Sequence, residues 1–309
     1  MLPEPIQGIN MGNDYTTYDA ARLDCGDAVG DVDVHPILGH SAHASDPATE
    51  RSQRIWSAGD YDRVSAGFRG EAEEFVDRLK LGVGQKVLDS ACGTGNLTIP
   101  AARTGAQVTG FDLIPALLET TASWAARERL SIQLDQGTVE ALPYEDASFD
   151  VVLSMFGLIF AARPDRVASE LARVTRRGGR VALANWTRSG FIGQMLATHV
   201  AFVTPPQGSI SPLLWGDEDV VRERLNESQW DVTTTLRTLT FHYPYTPAGT
   251  ADLFCTSYGP TIRTLEALDK HRASLLAADL TYHWERNQRP GARGTEVDSQ
   301  YLEVVATRR

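Results

Sequence analysis

The stretch Val87-Leu88-Asp89-Ser90-Ala91-Cys92-Gly93-Thr94-Gly95-Asn96 runs from an apolar strand, through a glycine turn, into a helix. Glycine in such a turn permits unusual backbone angles and lets a ligand approach the main chain. A nucleotide-like ligand is therefore the natural expectation, and two cofactor classes compete for it. The dinucleotide fingerprint G-x-G-x-x-G needs a third glycine where the helix packs on the strand. Counted from Gly93, that place is Thr98. An acid, Asp89, precedes the turn, where it repels a pyrophosphate and suits a cation.

Outward from the turn, short apolar strands alternate with helices. Strands are expected at Lys86–Ala91, Gln107–Phe111 (ending at Asp112), Ser131–Asp135, Phe149–Met155 and Arg180–Trp186. Helices are expected at 96–104, Ile114–Glu128 and Asp165–Val174, the last stopped by Gly178-Gly179. This rhythm implies an α/β fold, a parallel sheet with helices on both faces. Upstream, Trp56, Tyr61, Val64, Phe68, Ala72, Phe75, Val76 and Leu79 recur at the three-or-four spacing of an amphipathic helix, with a break near Gly70. Downstream the rhythm stops. Residues 187–230 form a long insertion, followed by a strand at Asp231–Tyr243, two or three helices within 247–287, and a last strand at Gln300–Thr307.

The ordered motifs resemble those of class I S-adenosylmethionine-dependent methyltransferases, closest to the small-molecule branch similar to ubiquinone and menaquinone biosynthesis enzymes. The family's acid-x-Gly-x-Gly-x-Gly reads here Asp89-x-Ala91-x-Gly93-x-Gly95. Asp112 stands where the family's acid holds the ribose hydroxyls, and Leu113 where an apolar residue lies beside the adenine. Gly137-Thr138-Val139-Glu140-Ala141-Leu142-Pro143 looks like the family's Gly-Asp-Ala-x-x-Leu-Pro segment, with Thr138 in place of the usual Asp. Tyr61 resembles the N-terminal aromatic that covers the methionine part. The resemblance implies S-adenosylmethionine as cofactor, held by Tyr61, Asp89, Ala91, Gly93, Gly95, Asp112, Leu113, Thr138, Val139 and Ser154. It implies a Rossmann-like seven-stranded, mostly parallel sheet, order 3-2-1-4-5-7-6, with the last strand antiparallel and a lid insertion after strand 5. It further implies methyl transfer to a small-molecule acceptor by direct in-line displacement. A cofactor-binding protein without turnover, or a nicotinamide-dependent oxidoreductase, is the alternative.

Several of these residues have plainer readings. Asp89 can cap a turn, Asp112 can cap the following helix, Tyr61 can simply pack, and Ser154 can serve as a strand cap. Cys92 reads as a small buried filler. No base is evident. His199 and His242 are the weak candidates, and a lone histidine is more often structural or exposed. Trp186, Trp215 and Tyr258 are the candidate wall for the acceptor. The fifth strand ends Ala184-Asn185-Trp186 without an acid pair, so no metal is expected.

The chain of 309 residues carries 40 acids against 29 lysines and arginines, net −11, which disfavours a nucleic-acid partner. Residues 1–50 hold nine of the acids and one base, Arg22, and show no apolar periodicity. They read as an acidic, irregular extension, with 51–309 as one domain and 187–230 as its acceptor lid. His35, His40 and His43 in that extension lack a helical ligand spacing. There is no apolar run of about 18 residues and no signal-peptide pattern at the start, so no membrane span is expected. Cys25, Cys92 and Cys255 form neither a zinc spacing nor a disulfide framework, and a reduced, cytoplasmic protein is expected.

Overall fold

The structure, a computed structural model, describes residues 46–309. His35, His40, His43, Cys25 and most of the acidic extension lie outside the described residues. Seven strands form one sheet: β1 (Lys86–Ser90), β2 (Gln107–Asp112), β3 (Gln133–Gln136), β4 (Phe149–Met155), β5 (Thr175–Trp186), β6 (Trp230–Tyr243) and β7 (Thr295–Arg308). Their order is β3-β2-β1-β4-β5-β7-β6. The first five are mutually parallel, and β7 runs antiparallel to both of its neighbours. The central strands are apolar without alternation because both faces are covered. Val87, Leu88, Val152, Leu153 and Val181 to Ala184 are completely buried.

Helices α4 (Thr98–Arg103), α5 (Pro115–Glu128) and α6 (Pro164–Val174) make the parallel crossovers. After β3 the chain returns to place β4 on the other side of β1. The sheet's winding therefore reverses between β1 and β4. A crevice opens beyond the carboxyl ends of these two strands, where such sheets take ligands.

The N-terminal amphipathic segment is not one helix broken near Gly70. It is α1 (Pro47–Trp56), α2 (Tyr61–Ser65) and α3 (Arg69–Leu79), separated at Ser57–Asp60 and by a 3-10 turn at Ala66–Phe68. Gly59, at φ +78° and with no room for a Cβ beside the Ser257 carbonyl, turns the chain between α1 and α2. Gly70 faces open space. Regular structure thus starts nine residues before the expected Trp56.

Beyond β5 come α7 (Phe191–Phe202), a 3-10 turn at Pro212–Gly216, and α8 (Glu218–Leu225). After β6 follow α9 (Pro247–Ser257), α10 (Gly259–Glu266) and α11 (Lys270–Asn287). β5 begins five residues earlier than the diglycine stop implied. Thr175 pairs with Phe149, and the register then shifts before Val151 meets Arg180, so the extended chain runs through Gly178-Gly179. β7 also begins earlier than expected, because Glu296, Asp298 and Gln300 hide its start in a polar alternation. Among the described residues, no helix is long and apolar enough to cross a membrane.

Candidate active site

The turn after β1 is built around left-handed backbone. Ala91 (φ +59°), Gly93 (φ +56°) and Gly95 (φ +88°) alternate along it. The two glycines differ in purpose. A Cβ on Gly95 would stand 2.9 Å from Thr121 Cγ2 of α5, so Gly95 lets that helix close in. A Cβ on Gly93 would meet only the Tyr61 ring, at 3.6 Å, so Gly93 presents bare backbone beneath that ring. Ala91 adopts the conformation the family gives to glycine, at a cost of about 1–2 kcal/mol for an L-residue. Room for its methyl exists because Gly157 has none; a Cβ there would lie 2.7 Å from the Ala91 Cβ.

Two buried carboxylates fix the turn. Asp112, at the end of β2, accepts the Gly93 N–H (2.8 Å) and the Ile114 N–H (2.9 Å). Asp89 accepts the Thr98 hydroxyl at 2.6 Å. Thr98, at the place of a third fingerprint glycine, thereby anchors the acid. Burial pushes Asp89 up to about 7, and the nearby Asp112 adds to the rise. Burial likewise pushes Asp112 up to about 6, against the lowering effect of its backbone donors. Burial, then Asp112, holds the Tyr61 phenol well above its ordinary range.

Above the turn lies a cleft of about 970 Å³, counted out to its open mouth. Tyr61, Asp89, Ala91, Gly93, Asp112, Leu113, Thr138 and Val139 all border it. Gly95 and Ser154 do not. Gly95 packs under α5. Ser154 is sealed in the sheet, its hydroxyl donating to the Ser90 carbonyl at 2.6 Å, so the strand-cap reading holds there. Thr138 accepts the Glu140 N–H at 3.3 Å, closing a local turn.

Rings line the cleft as well. Trp56, Phe68, Phe156 and Phe160 border it with Met155, and Thr49 and Ser52 reach it from α1. Phe156 is held at φ +61° by stacking on Trp186, with centroids 3.5 Å apart and planes 9° from parallel. Sequence reasoning missed these residues. Thr49 fell within the supposed irregular extension, although Asp46-Pro47 followed by Glu50 is a helix-start signature.

Residues 88–183 match the family described as "Methyltransferase domain". An uncharacterized protein of Mycobacterium tuberculosis (strain ATCC 25618 / H37Rv) is 38% identical over 224 residues, covering 72% of this chain and 81% of the relative. The chain belongs to the class I S-adenosylmethionine-dependent methyltransferases. A demethylmenaquinone methyltransferase of Paenarthrobacter aurescens is 29% identical over 174 residues, 51% of this chain and 67% of that one. The YcgJ protein of Bacillus subtilis shares the fold, with a TM-score of 0.53 at 15% identity, over 78% of this chain and 99% of that structure.

S-adenosylmethionine is the methyltransferase's cofactor, and the nicotinamide alternative falls away. The turn fits this group: two acids face a cleft that must take a sulfonium, an ammonium and a ribose diol. The acceptor side needs correction. None of Trp186, Trp215 and Tyr258 borders the cleft. Trp186 backs Phe156, and Tyr258 backs Trp56 at 5.8 Å. Trp215 is buried under the guanidinium of Arg224, 4.9 Å from its ring, and no residue of 187–230 lines the cleft. That insertion packs elsewhere: Phe191 of α7 meets Trp284 of α11 at 4.5 Å, and its carbonyl lies 3.0 Å from His283 Nε2. Neither histidine candidate reaches the site. His199 is buried between the Met195 carbonyl (2.7 Å) and the Thr261 hydroxyl (2.8 Å). His242 is exposed on the edge strand β6, 3.9 Å from Glu296. Among the described residues, no cluster of His, Cys, Asp and Glu is arranged to hold a metal ion.

The paired acids give the methyltransferase a pH signature. A cationic ligand favours their ionised forms, so binding below about pH 7 must expel a proton. Affinity for S-adenosylmethionine is expected to rise about tenfold from pH 6 to pH 8, with proton release visible by calorimetry in buffers of different ionisation enthalpy. The free enzyme has the opposite trend. Both acids hold protons that the unfolded chain gives up near pH 4, so their contribution to stability falls as pH rises through 6 and 7. A pH-independent affinity would show that these carboxylates do not meet the ligand's charge.

Proposed function

We propose that the enzyme methylates a small, flat, largely apolar acceptor whose nucleophile reaches the site already deprotonated or as a neutral lone pair. The observation that carries this reading is the composition of the cleft's lining. Its carboxylates, Asp89, Asp112 and Glu140, all belong to the cofactor motifs. Outside those motifs the lining offers rings, Met155, small residues and the hydroxyls of Thr49 and Ser52, and Tyr61 adds a phenol over the glycine turn. With the Tyr61 phenol held protonated, no group there can take a proton at neutral pH.

In this reading Asp112 takes the ribose hydroxyls, Leu113, Thr138 and Val139 border the adenine, and Asp89 faces the methionine ammonium across Gly93. The bound cofactor supplies an activated methyl on a sulfonium. The protein's task is alignment and exclusion of water, which is where most of the rate of such a displacement originates. The rings of the lining do both: Trp56 from above and Phe156 from the sheet bracket the space, and neither supplies a base. The likeness to a demethylmenaquinone methyltransferase supports an apolar, ring-bearing acceptor.

Label transfer tests this. With methyl-labelled S-adenosylmethionine, phenolic or quinol-type rings are expected to take up label without added metal, and faster as pH rises toward their own ionisation in solution. Aliphatic amines and sugars are expected to take up none. Transfer confined to polar, non-aromatic acceptors would overturn the reading.

A further inference from the structure

Glu140 ends the Gly137–Glu140 wall of the cleft, and its side chain is 5% exposed. Both of its oxygens are taken by one residue. The Arg163 backbone N–H donates to Oε1 at 2.8 Å, and Arg163 Nε donates to Oε2 at 2.5 Å. The same guanidinium reaches the other way, where Nη2 lies 2.7 Å from Oδ2 of Asp46, the residue that precedes α1. One side chain thus joins the inner wall of the cleft to the start of its roof. Arginine suits this place because its planar fork can serve two carboxylates at once, which a lysine ammonium does less specifically.

The roof is weakly held. α1 has ten residues and none is buried. Helices this short are marginal without tertiary support. At its far end Arg263 Nε donates to the Arg54 carbonyl at 2.9 Å and the Trp56 ring meets Phe160 and Tyr258. Segments with so little buried surface open locally while the rest stays folded. α1 also contributes Thr49, Ser52 and Trp56 to the cleft, so its opening unroofs the site.

We propose that Arg163 is a positioning residue that couples cofactor occupancy to closure of α1. A ligand resting on Gly137–Val139 steadies Glu140. Glu140 fixes the guanidinium, and the guanidinium holds Asp46 and with it the first turn of the roof. Coupling is reciprocal, so a closed roof tightens cofactor binding by the same factor. The inference rests on the adenine placement proposed above.

Trypsin supplies the readout, because Arg51 and Arg54 are exposed on α1 itself. In the full-length enzyme, saturating S-adenosylhomocysteine is expected to slow cleavage after these two residues about tenfold. In Arg163→Met, which keeps the apolar stem, the same saturation is expected to slow it less than about twofold, with binding weakened no more than about tenfold by calorimetry. Asp46→Asn takes away the charge that Arg163 meets at the roof, puts in a residue that suits a helix start equally well, and should reproduce the loss of protection. Persisting protection in both variants overturns the coupling role of Arg163. Saturable binding to the wild type without any protection also overturns the coupling, whereas unchanged cofactor affinity in a folded Val139→Asp variant overturns the adenine placement on which it rests.

Discussion

Asp112→Ala is expected to weaken S-adenosylmethionine about ten- to a hundredfold, measured by calorimetry at pH 8. The carboxylate borders the cleft and accepts the Gly93 N–H at 2.8 Å. Losing charge-assisted hydrogen bonds of this kind costs roughly 1.5–3 kcal/mol, and each 1.4 kcal/mol is a factor of ten. Both oxygens already hold backbone donors, Gly93 on one and Ile114 on the other. Removal therefore loosens the turn as well as the ribose contact. Asp112→Asn separates the two effects only in part, because its amide group must face one of the same N–H donors. It too is expected to bind poorly. Measuring at pH 8 matters, since with its acidity pushed up to about 6 the wild-type group is partly protonated in mildly acidic buffer. Unchanged affinity in a folded Asp112→Ala variant would refute its assignment to the ribose.

The cofactor half of the site was legible because backbone chemistry leaves a linear trace. A left-handed turn needs glycine or, at a cost, Ala91. A strand buried on both faces needs an unbroken apolar run. An acid ending β2 lies beside the turn whenever β1 and β2 are parallel neighbours. Those rules placed β1, β2 and β4 to within a residue or two, and the strand order followed from the family resemblance.

The acceptor half was not legible, because its residues are brought together by packing alone. Trp56, Phe68 and the pair Phe156 and Phe160 come from three separate segments, and each reads locally as ordinary apolar filler. Trp215 stands in a turn-like stretch of the insertion, and the sequence offers it with Trp186 and Tyr258 as a wall of large rings. Yet a large ring is as useful behind a wall as in one. Trp186 and Tyr258 brace the rings that do line the cleft. The 187–230 insertion looked like a lid because of its length. Its apolar side chains instead bury against α11 and the β6–β7 edge of the sheet, which the long antiparallel strands extend beyond the usual core.

Trp56→Ala is expected to lower kcat/KM for the acceptor about ten- to a hundredfold, with cofactor affinity falling no more than about tenfold, the most that loosening α1 costs. The ring lies at the far end of α1, edge-on to Phe160 at 4.9 Å, Tyr61 at 5.7 Å and Tyr258 at 5.8 Å. It borders the cleft, and Tyr61 stands between it and the Gly93 backbone. Truncating a tryptophan at the centre of an apolar contact typically costs roughly 2–3 kcal/mol of binding, and its loss also admits water. The cost to the fold is smaller, because Trp56 is only partly buried and ends a helix with no buried residue of its own. Trp56→Phe, which restores a ring of lesser reach, should recover most of the activity. Trp215→Ala is the informative contrast. That ring is 1% exposed and lies outside the cleft, so the variant should lose several kcal/mol of stability, as buried aromatic-to-alanine changes do. Its folded fraction should keep its choice of acceptor. A parallel fall of cofactor affinity and turnover in Trp56→Ala would assign the ring to the cofactor. Full activity would mean that the acceptor enters elsewhere, since α1 would then roof nothing that the reaction uses.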